Sequence, residues 1–162
     1  VEKDMAVVTH RGLVGRVIRV TPNTSTVLLL SDPDSGVGAM VGRSRDAGIV
    51  LGRLGGGRSV DLRLFSRNAD VRIGDVVVTS GLGGLFPKGI LVGSVAAVRE
   101  EEYGLVRYAQ VEAAADLDRL EEVMVVRRVR PGMEGMLEKY PGGAPGVQPT
   151  PRWRPGPSPA PR

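Results

Sequence analysis

The sequence contains no cysteine, which removes disulfide staples, thiol nucleophiles and Cys-ligated metals. It has one histidine, His10, too few for a His-based zinc site. Aromatic residues make up only 4% of the chain, and single-strand nucleic-acid binders need base-stacking platforms. Lysine is scarce as well: of 22 basic residues all but Lys3, Lys88 and Lys139 are arginine. No apolar run approaches the ~20 residues needed to cross a bilayer as a helix; stretches such as 27–30 stop far short. No charged-then-apolar signal opens the chain. It starts at Val1, so any targeting segment is expected upstream.

What is present supports a packed core. The 162 residues suit one domain or two small ones. Hydrophobic residues at 41% and charged residues at 25% are ordinary for a globular protein. The net charge of +4 divides evenly. The stretch 131–162 carries Lys139, Arg152, Arg154 and Arg162 against Glu134 and Glu138, and the remainder holds the other half of the excess. That is a mixed surface, not a stripe for a polyanion.

Most of the prolines fall in 131–162, interleaved with Gly, Ala and Arg. Such a stretch favours extended, solvated backbone over sheet or helix, so 131–162 is expected to be a disordered tail. Trp153, between Arg152 and Arg154, is its one tryptophan.

The body reads as all-β. Candidate strands are 5–9, 13–21, 26–31, 36–41, 48–54, 59–65, 75–80, 90–98, 106–113 and 122–128. They are rich in Val, Ile and Leu and separated by Gly, Pro, Asp and Ser. Alternation is clear where Val60, Leu62 and Leu64 oppose Asp61, Arg63 and Phe65. Short strands at this spacing make barrels or sandwiches. One helical turn is expected at 116–122, where Leu117 and Leu120 stand three apart.

A weak internal repeat links Arg11-Gly12-Leu13-Val14-Gly15-Arg16-Val17 with Lys88-Gly89-Ile90-Leu91-Val92-Gly93-Ser94-Val95. In each, a basic residue and a glycine lead into an apolar strand with a glycine inside it. Such a glycine marks a sharp bend or a bulge, as at a barrel corner. The same pattern also resembles small SH3-like barrels that bind DNA or RNA, the competing functional class.

The densest motif is Thr79-Ser80-Gly81-Leu82-Gly83-Gly84-Leu85-Phe86-Pro87-Lys88-Gly89. A phosphate loop would run into a helix N-terminus; here Pro87 and a strand-like run follow. The glycines instead suit a wide turn with positive φ, with Phe86 plugging a barrel end. His10 with Asp32 or Asp61 and Ser35 or Ser80 gives a His–Asp–Ser order, but sequence alone sets no triad distances. Asp32-Pro33-Asp34-Ser35-Gly36 lacks the ligand spacing of a calcium loop and reads as a turn. No catalytic residue, metal site or cofactor is expected.

The order of segments resembles the MreC family of rod-shape-determining proteins. Met5-Ala6-Val7-Val8 with Gly12-Leu13-Val14-Gly15-Arg16-Val17 resembles the strand pair near the start of its barrel region. Ser25 to Asp32, then Arg43-Ser44-Arg45 with Gly48-Ile49, resemble the next segments. The most specific match runs from Gly74-Asp75-Val76-Val77-Val78 through the Gly81–Gly84 cluster and Phe86-Pro87-Lys88-Gly89 to Val92-Gly93. Asp116-Leu117, Leu120 and Val123 to Val126 resemble the closing segment.

The resemblance implies two small six-stranded β-barrels outside the cytoplasmic membrane, on its periplasmic face. In the family, a membrane helix and a coiled coil precede them. It implies a non-enzymatic scaffold of cell-wall elongation that self-associates, binds the elongation-specific penicillin-binding protein, and works with MreD and, across the membrane, MreB. Membrane anchoring would come only through a segment not in this chain. The strand that precedes Met5 in the family is not evident, so the first barrel is expected to be open or completed by another chain. A nested partition places 1–43 with 117–130 in the first barrel and 44–116 in the second; a sequential split near 66 is the alternative. Partner contacts are expected from Leu82, Leu85, Phe86 and Lys88. Gly74, Asp75, Gly81, Gly83, Gly84, Pro87 and Gly89 are expected to shape the loop.

Overall fold

Alternating apolar residues need a buried face, and here two sheets supply it. The computed structural model describes residues 1–100 and 107–127; the expectation for 131–162 lies outside them. All ten expected strands are present. They are β1 Ala6–Val8, β2 Leu13–Val20, β3 Ser25–Leu29, β4 Gly36–Val41, β5 Ala47–Leu51, β6 Ser59–Leu64, β7 Val76–Thr79, β8 Leu91–Glu100, β9 Arg107–Ala113 and β10 Met124–Val126. No described residue is helical: the stretch 116–122 makes a single turn, where the Arg119 amide donates to the Asp116 carbonyl at 3.4 Å.

Six strands close into an antiparallel barrel in the order β4-β5-β6-β9-β8-β7. The other four form a sheet in the order β10-β1-β2-β3. The chain passes from this sheet into the barrel after β3 and returns for β10. β4, which the nested reading gave to the first barrel, is paired with β5 and β7 inside the closed one.

The barrel fills itself by alternation. Val37, Ala39 and Val41 of β4, Val60, Leu62 and Leu64 of β6, and Ala109, Val111 and Ala113 of β9 all point inward and are buried. Each such Val or Leu contributes about 1.5–3 kcal/mol of hydrophobic stabilisation. The sheet buries Val7, Leu13, Val14 and Val17 by the same logic.

The internal repeat is real in three dimensions. In the sheet, Val7 pairs with Gly15 and Val8 with Leu13, so β2 carries one extra residue there. In the barrel, Val77 pairs with Gly93 and Val78 with Leu91, the same irregularity. A second bulge follows on the other side, between Val17 and Arg19 against β3 and between Val95 and Ala97 against β9. Both glycines are needed for one reason. A Cβ at Gly15 would collide with the Leu28 carbonyl, and one at Gly93 with the Glu112 carbonyl. β1-β2-β3 and β7-β8-β9 are thus one three-strand corner used twice.

The barrel has two distinct ends. The near end, by the sheet, carries the connections 30–35, 52–58, 80–90 and 114–123. Gly12 of the β1–β2 turn sits against it: a Cβ there would lie 2.7 Å from the Leu91 carbonyl oxygen and 3.2 Å from the Ala114 Cβ. The far end carries the connections 42–46 and 65–75.

Candidate partner-binding surface

The glycine-rich motif is the connection from β7 to β8 at the near end, and Thr79 closes it. The Thr79 amide donates to the Ile90 carbonyl at 2.8 Å, and the Gly89 amide donates to the Thr79 carbonyl at 2.9 Å. The buried hydroxyl of Thr79 donates to the Pro87 carbonyl and accepts the Ile90 amide at 2.8 Å. Between these anchors the chain must turn back, and Gly81, at φ +78°, takes a backbone form that side chains disfavour. Gly83, Gly84 and Gly89 also have positive φ.

The loop sorts its side chains by depth. Phe86 is 4% exposed and belongs to the core. Leu85 is half-buried and packs against it, and Pro87 is half-buried. Leu82 is 53% exposed and Lys88 is exposed. Of the four expected contact residues, the structure brings Leu82 and Lys88 to the surface, Leu85 part-way, and keeps Phe86 inside as a plug.

Gly74 and Asp75 stand apart from that loop, at the far end. Gly74 has φ +90°. Asp75 accepts two hydrogen bonds from Arg43, from Nε at 3.0 Å and Nη2 at 2.9 Å, and a third from the Arg72 amide at 2.9 Å. Arg43 also donates through Nη1 to Asp70 at 2.6 Å. The Asp70 amide donates to Asp46 at 2.9 Å. Hydrogen bonding from Arg43 holds the carboxyls of both Asp70 and Asp75 below the usual aspartate range, and the two carboxylates raise the Arg43 guanidinium. Sequence reasoning gave a structural role only to Asp75 of this cluster; Arg43, 32 positions away, stood only within a family-like segment.

The other candidates separate. His10 is exposed, and no side-chain hydrogen bond joins it to Asp32, Asp61, Ser35 or Ser80 among the described residues. The Ser80 hydroxyl instead accepts the Leu82 amide at 3.2 Å, and Ser35 is buried. Asp32 folds its own turn, accepting the Asp34 amide on Oδ1 at 2.9 Å and the Ser35 amide on its carbonyl at 2.8 Å. No group of three metal-ligating side chains gathers among the described residues.

Two depressions flank the seam of sheet and barrel. A groove of about 260 Å³ is lined by charged and polar residues of 9–11 and 116–122. A more apolar one of about 310 Å³ runs past Val8, Pro87, Ile90, Leu91 and Val126.

Residues 1–127 match the family model described as rod shape-determining protein MreC, barrel core. The chain is 36% identical over 145 residues to the cell shape-determining protein MreC of Bacillus subtilis (strain 168), covering 83% of this chain and 50% of that protein. It therefore spans about half the length of this curated relative. The crystal structure of MreC from Pseudomonas aeruginosa matches with a TM-score of 0.73 at 31% identity, over 78% of this chain and 81% of that one. A chain from the complex between penicillin-binding protein PBP2 and MreC of Helicobacter pylori shares the fold, with a TM-score of 0.64 at 22% identity over 77% of this chain and 79% of that one.

Proposed function

The chain belongs to the MreC family of rod shape-determining proteins, and from that premise we propose that it is a non-enzymatic scaffold of the cell-wall elongation machinery. It binds the extracytoplasmic part of the elongation-specific penicillin-binding protein and associates with itself. It does so at the periplasmic face of the cytoplasmic membrane, with MreD and MreB as further partners of the whole protein. The observation that carries the reading is the match of residues 1–127 to the family's barrel core. The Helicobacter pylori complex of PBP2 with MreC supports the choice of partner.

In domain terms, β1–β3 with β10 form one unit and β4–β9 a second inserted into it. The contact surface proposed is the 80–89 loop. Thr79 and Phe86 hold that loop from beneath, so Leu82, Leu85 and Lys88 meet a partner with little ordering left to do. Preorganisation of this kind lowers the entropic loss on binding.

The test is equilibrium binding of the full chain to the extracytoplasmic part of that penicillin-binding protein, with mixed-sequence DNA and RNA in parallel over a salt series. Saturable protein binding, weakened by Leu82→Ser without loss of fold, is expected. Nucleic-acid binding that falls steeply with salt, with no protein binding, would replace this reading with that of a nucleic-acid-binding barrel.

A further inference from the structure

The outer face of the barrel carries an ordered row of side chains that the 80–89 loop does not use. Pairing sets Arg63 of β6 opposite Tyr108 of β9, and Tyr108 opposite Arg99 of β8. Their strand neighbours Leu62 and Ala109 are buried inside the barrel, so alternation turns the row outward. One ring therefore stands between two guanidinium groups. Arg63 and Arg99 are exposed and Tyr108 is half-buried. Neither Arg63 nor the Tyr108 hydroxyl has a side-chain partner among the described residues. Phe65, the next outward position after Arg63, is 66% exposed. Of the aromatic side chains among the described residues, Phe86 fills the core, and Phe65 and Tyr108 stand on this face.

The adjoining row is polar and mixed in sign. Asp61 pairs with Gln110, and Gln110 with Ala97. The Gln110 carboxamide donates to the Ser59 hydroxyl at 2.9 Å and accepts from Arg99 at 3.4 Å. That holds the carboxamide and one end of Arg99 in place. Asp61 is half-buried and makes no ion pair.

The two rows together suit one kind of ligand. Flat rings cover the C–H faces of sugars, while Asp61 and the Tyr108 hydroxyl exchange hydrogen bonds with sugar hydroxyls. The arginines present planar forks to carboxylates. Their backbones are two strand spacings apart, about 10 Å, which leaves room for a disaccharide. A nucleic-acid strand fits less well, because Asp61 would oppose its phosphates.

We propose that this face, with Arg63, Phe65, Arg99 and Tyr108 at its centre, binds a glycan strand whose sugars carry carboxylates. The choice of a glycan rests on the extracytoplasmic placement in the proposed function, and it adds a cell-wall ligand to the protein partners given there. Arg63 and Tyr108 lie toward the far end of the barrel, away from the 80–89 loop, so the two contacts do not compete.

The experiment titrates the full chain with soluble, peptide-free strands of alternating N-acetylglucosamine and N-acetylmuramic acid, read by calorimetry and amide chemical shifts. Neutral N-acetylglucosamine oligomers, polyglutamate and single-stranded DNA run in parallel. Saturable binding is expected, with shifts centred on 61–65, 97–99 and 107–110. The neutral oligomer should bind about 2- to 30-fold more weakly, the range for two exposed ion pairs. Tyr108→Ala should weaken binding about tenfold or more, and Tyr108→Phe, which keeps the ring, should retain most of it. Arg63→Gln with Arg99→Gln should bind the charged and neutral strands alike. Circular dichroism and melting check that each variant is folded. No saturation up to about 1 mM, or Tyr108→Ala and the arginine pair binding like the wild type, overturns the inference. Polyglutamate binding as tightly as the glycan also overturns it, since charge alone would then suffice. Tighter binding of DNA would make the face a nucleic-acid surface instead. Binding to the penicillin-binding protein is measured on the same samples. Protein binding without glycan binding removes this inference alone, and glycan binding without protein binding removes the partner reading alone.

Discussion

Arg43 grips Asp75 with two nitrogens, Nε and Nη2, at 3.0 and 2.9 Å. A third nitrogen reaches Asp70 at 2.6 Å. A planar guanidinium serves two carboxylates in this way, and a lysine ammonium would not.

Arg43→Ala should therefore make stability depend differently on pH. Asp70 and Asp75 have lowered pKa values, chiefly through their hydrogen bonds with Arg43. The stabilisation from a lowered carboxyl is complete above the ordinary aspartate range and is lost as pH falls through the lowered values. The wild type should melt higher than Arg43→Ala at neutral pH, and the two should converge in acid. Calorimetry from pH 7 to 2 checks it; a gap that stays constant with pH would show that Arg43 acts through packing alone.

Thr79→Val should destabilise by about 1–3 kcal/mol, because the Pro87 carbonyl and the Ile90 amide lose the buried hydroxyl between them. Thr79→Ser keeps the hydroxyl and should recover most of that loss. Chemical denaturation of the pair reads the difference.

Phe86→Ala should destabilise by about 3 kcal/mol or more, as expected for a core aromatic. Leu82→Ala, half exposed in the same loop, should leave the denaturation midpoint within ~0.5 kcal/mol of wild type. If Phe86→Ala melts normally and loses only partner affinity, Phe86 is an anchor and not a plug.

Gly12→Ala should loosen the seam between sheet and barrel. Its new Cβ would lie 2.7 Å from the Leu91 carbonyl oxygen, which is backbone and cannot rotate aside. A loss of about 1–3 kcal/mol is expected. Denaturation should report it, and the increase in amide exchange should centre on 9–13 and 90–92.

Arg45→Gly tests backbone strain in the turn between β4 and β5. Removing the side chain from a left-handed position should stabilise the fold by about 1 kcal/mol. Chemical denaturation of Arg45→Gly against the wild type reads the gain, and an unchanged or lower midpoint would show that Arg45 carries no backbone strain.

Much of the fold was legible because a strand announces itself locally. β4 spans the expected 36–41 to the residue, bounded by a turn and an Arg-Ser-Arg cluster. β6 shows its pairing face in the alternation of Val60, Leu62 and Leu64. Which sheet a strand joins is a non-local matter: nothing in Gly36 to Val41 says that β4 leaves β3 behind and pairs with β5 and β7. The loop glycines and the burial of Phe86 were readable from their order. The Arg43 clasp was not, since its members come from two connections that meet only when the barrel closes.

The duplicated corner gives this molecule its own internal standard. Val111 of β9 faces β6, where it pairs with Val60. Its counterpart Val27 in β3 has no strand on that side among the described residues. The two amides share a local backbone design and differ in whether the sheet continues. Their hydrogen-exchange rates, read in one sample, therefore form a clock for closure. Any chain that docks along β3 would slow Val27 towards Val111, so occupancy of that edge can be followed without labelling the visitor.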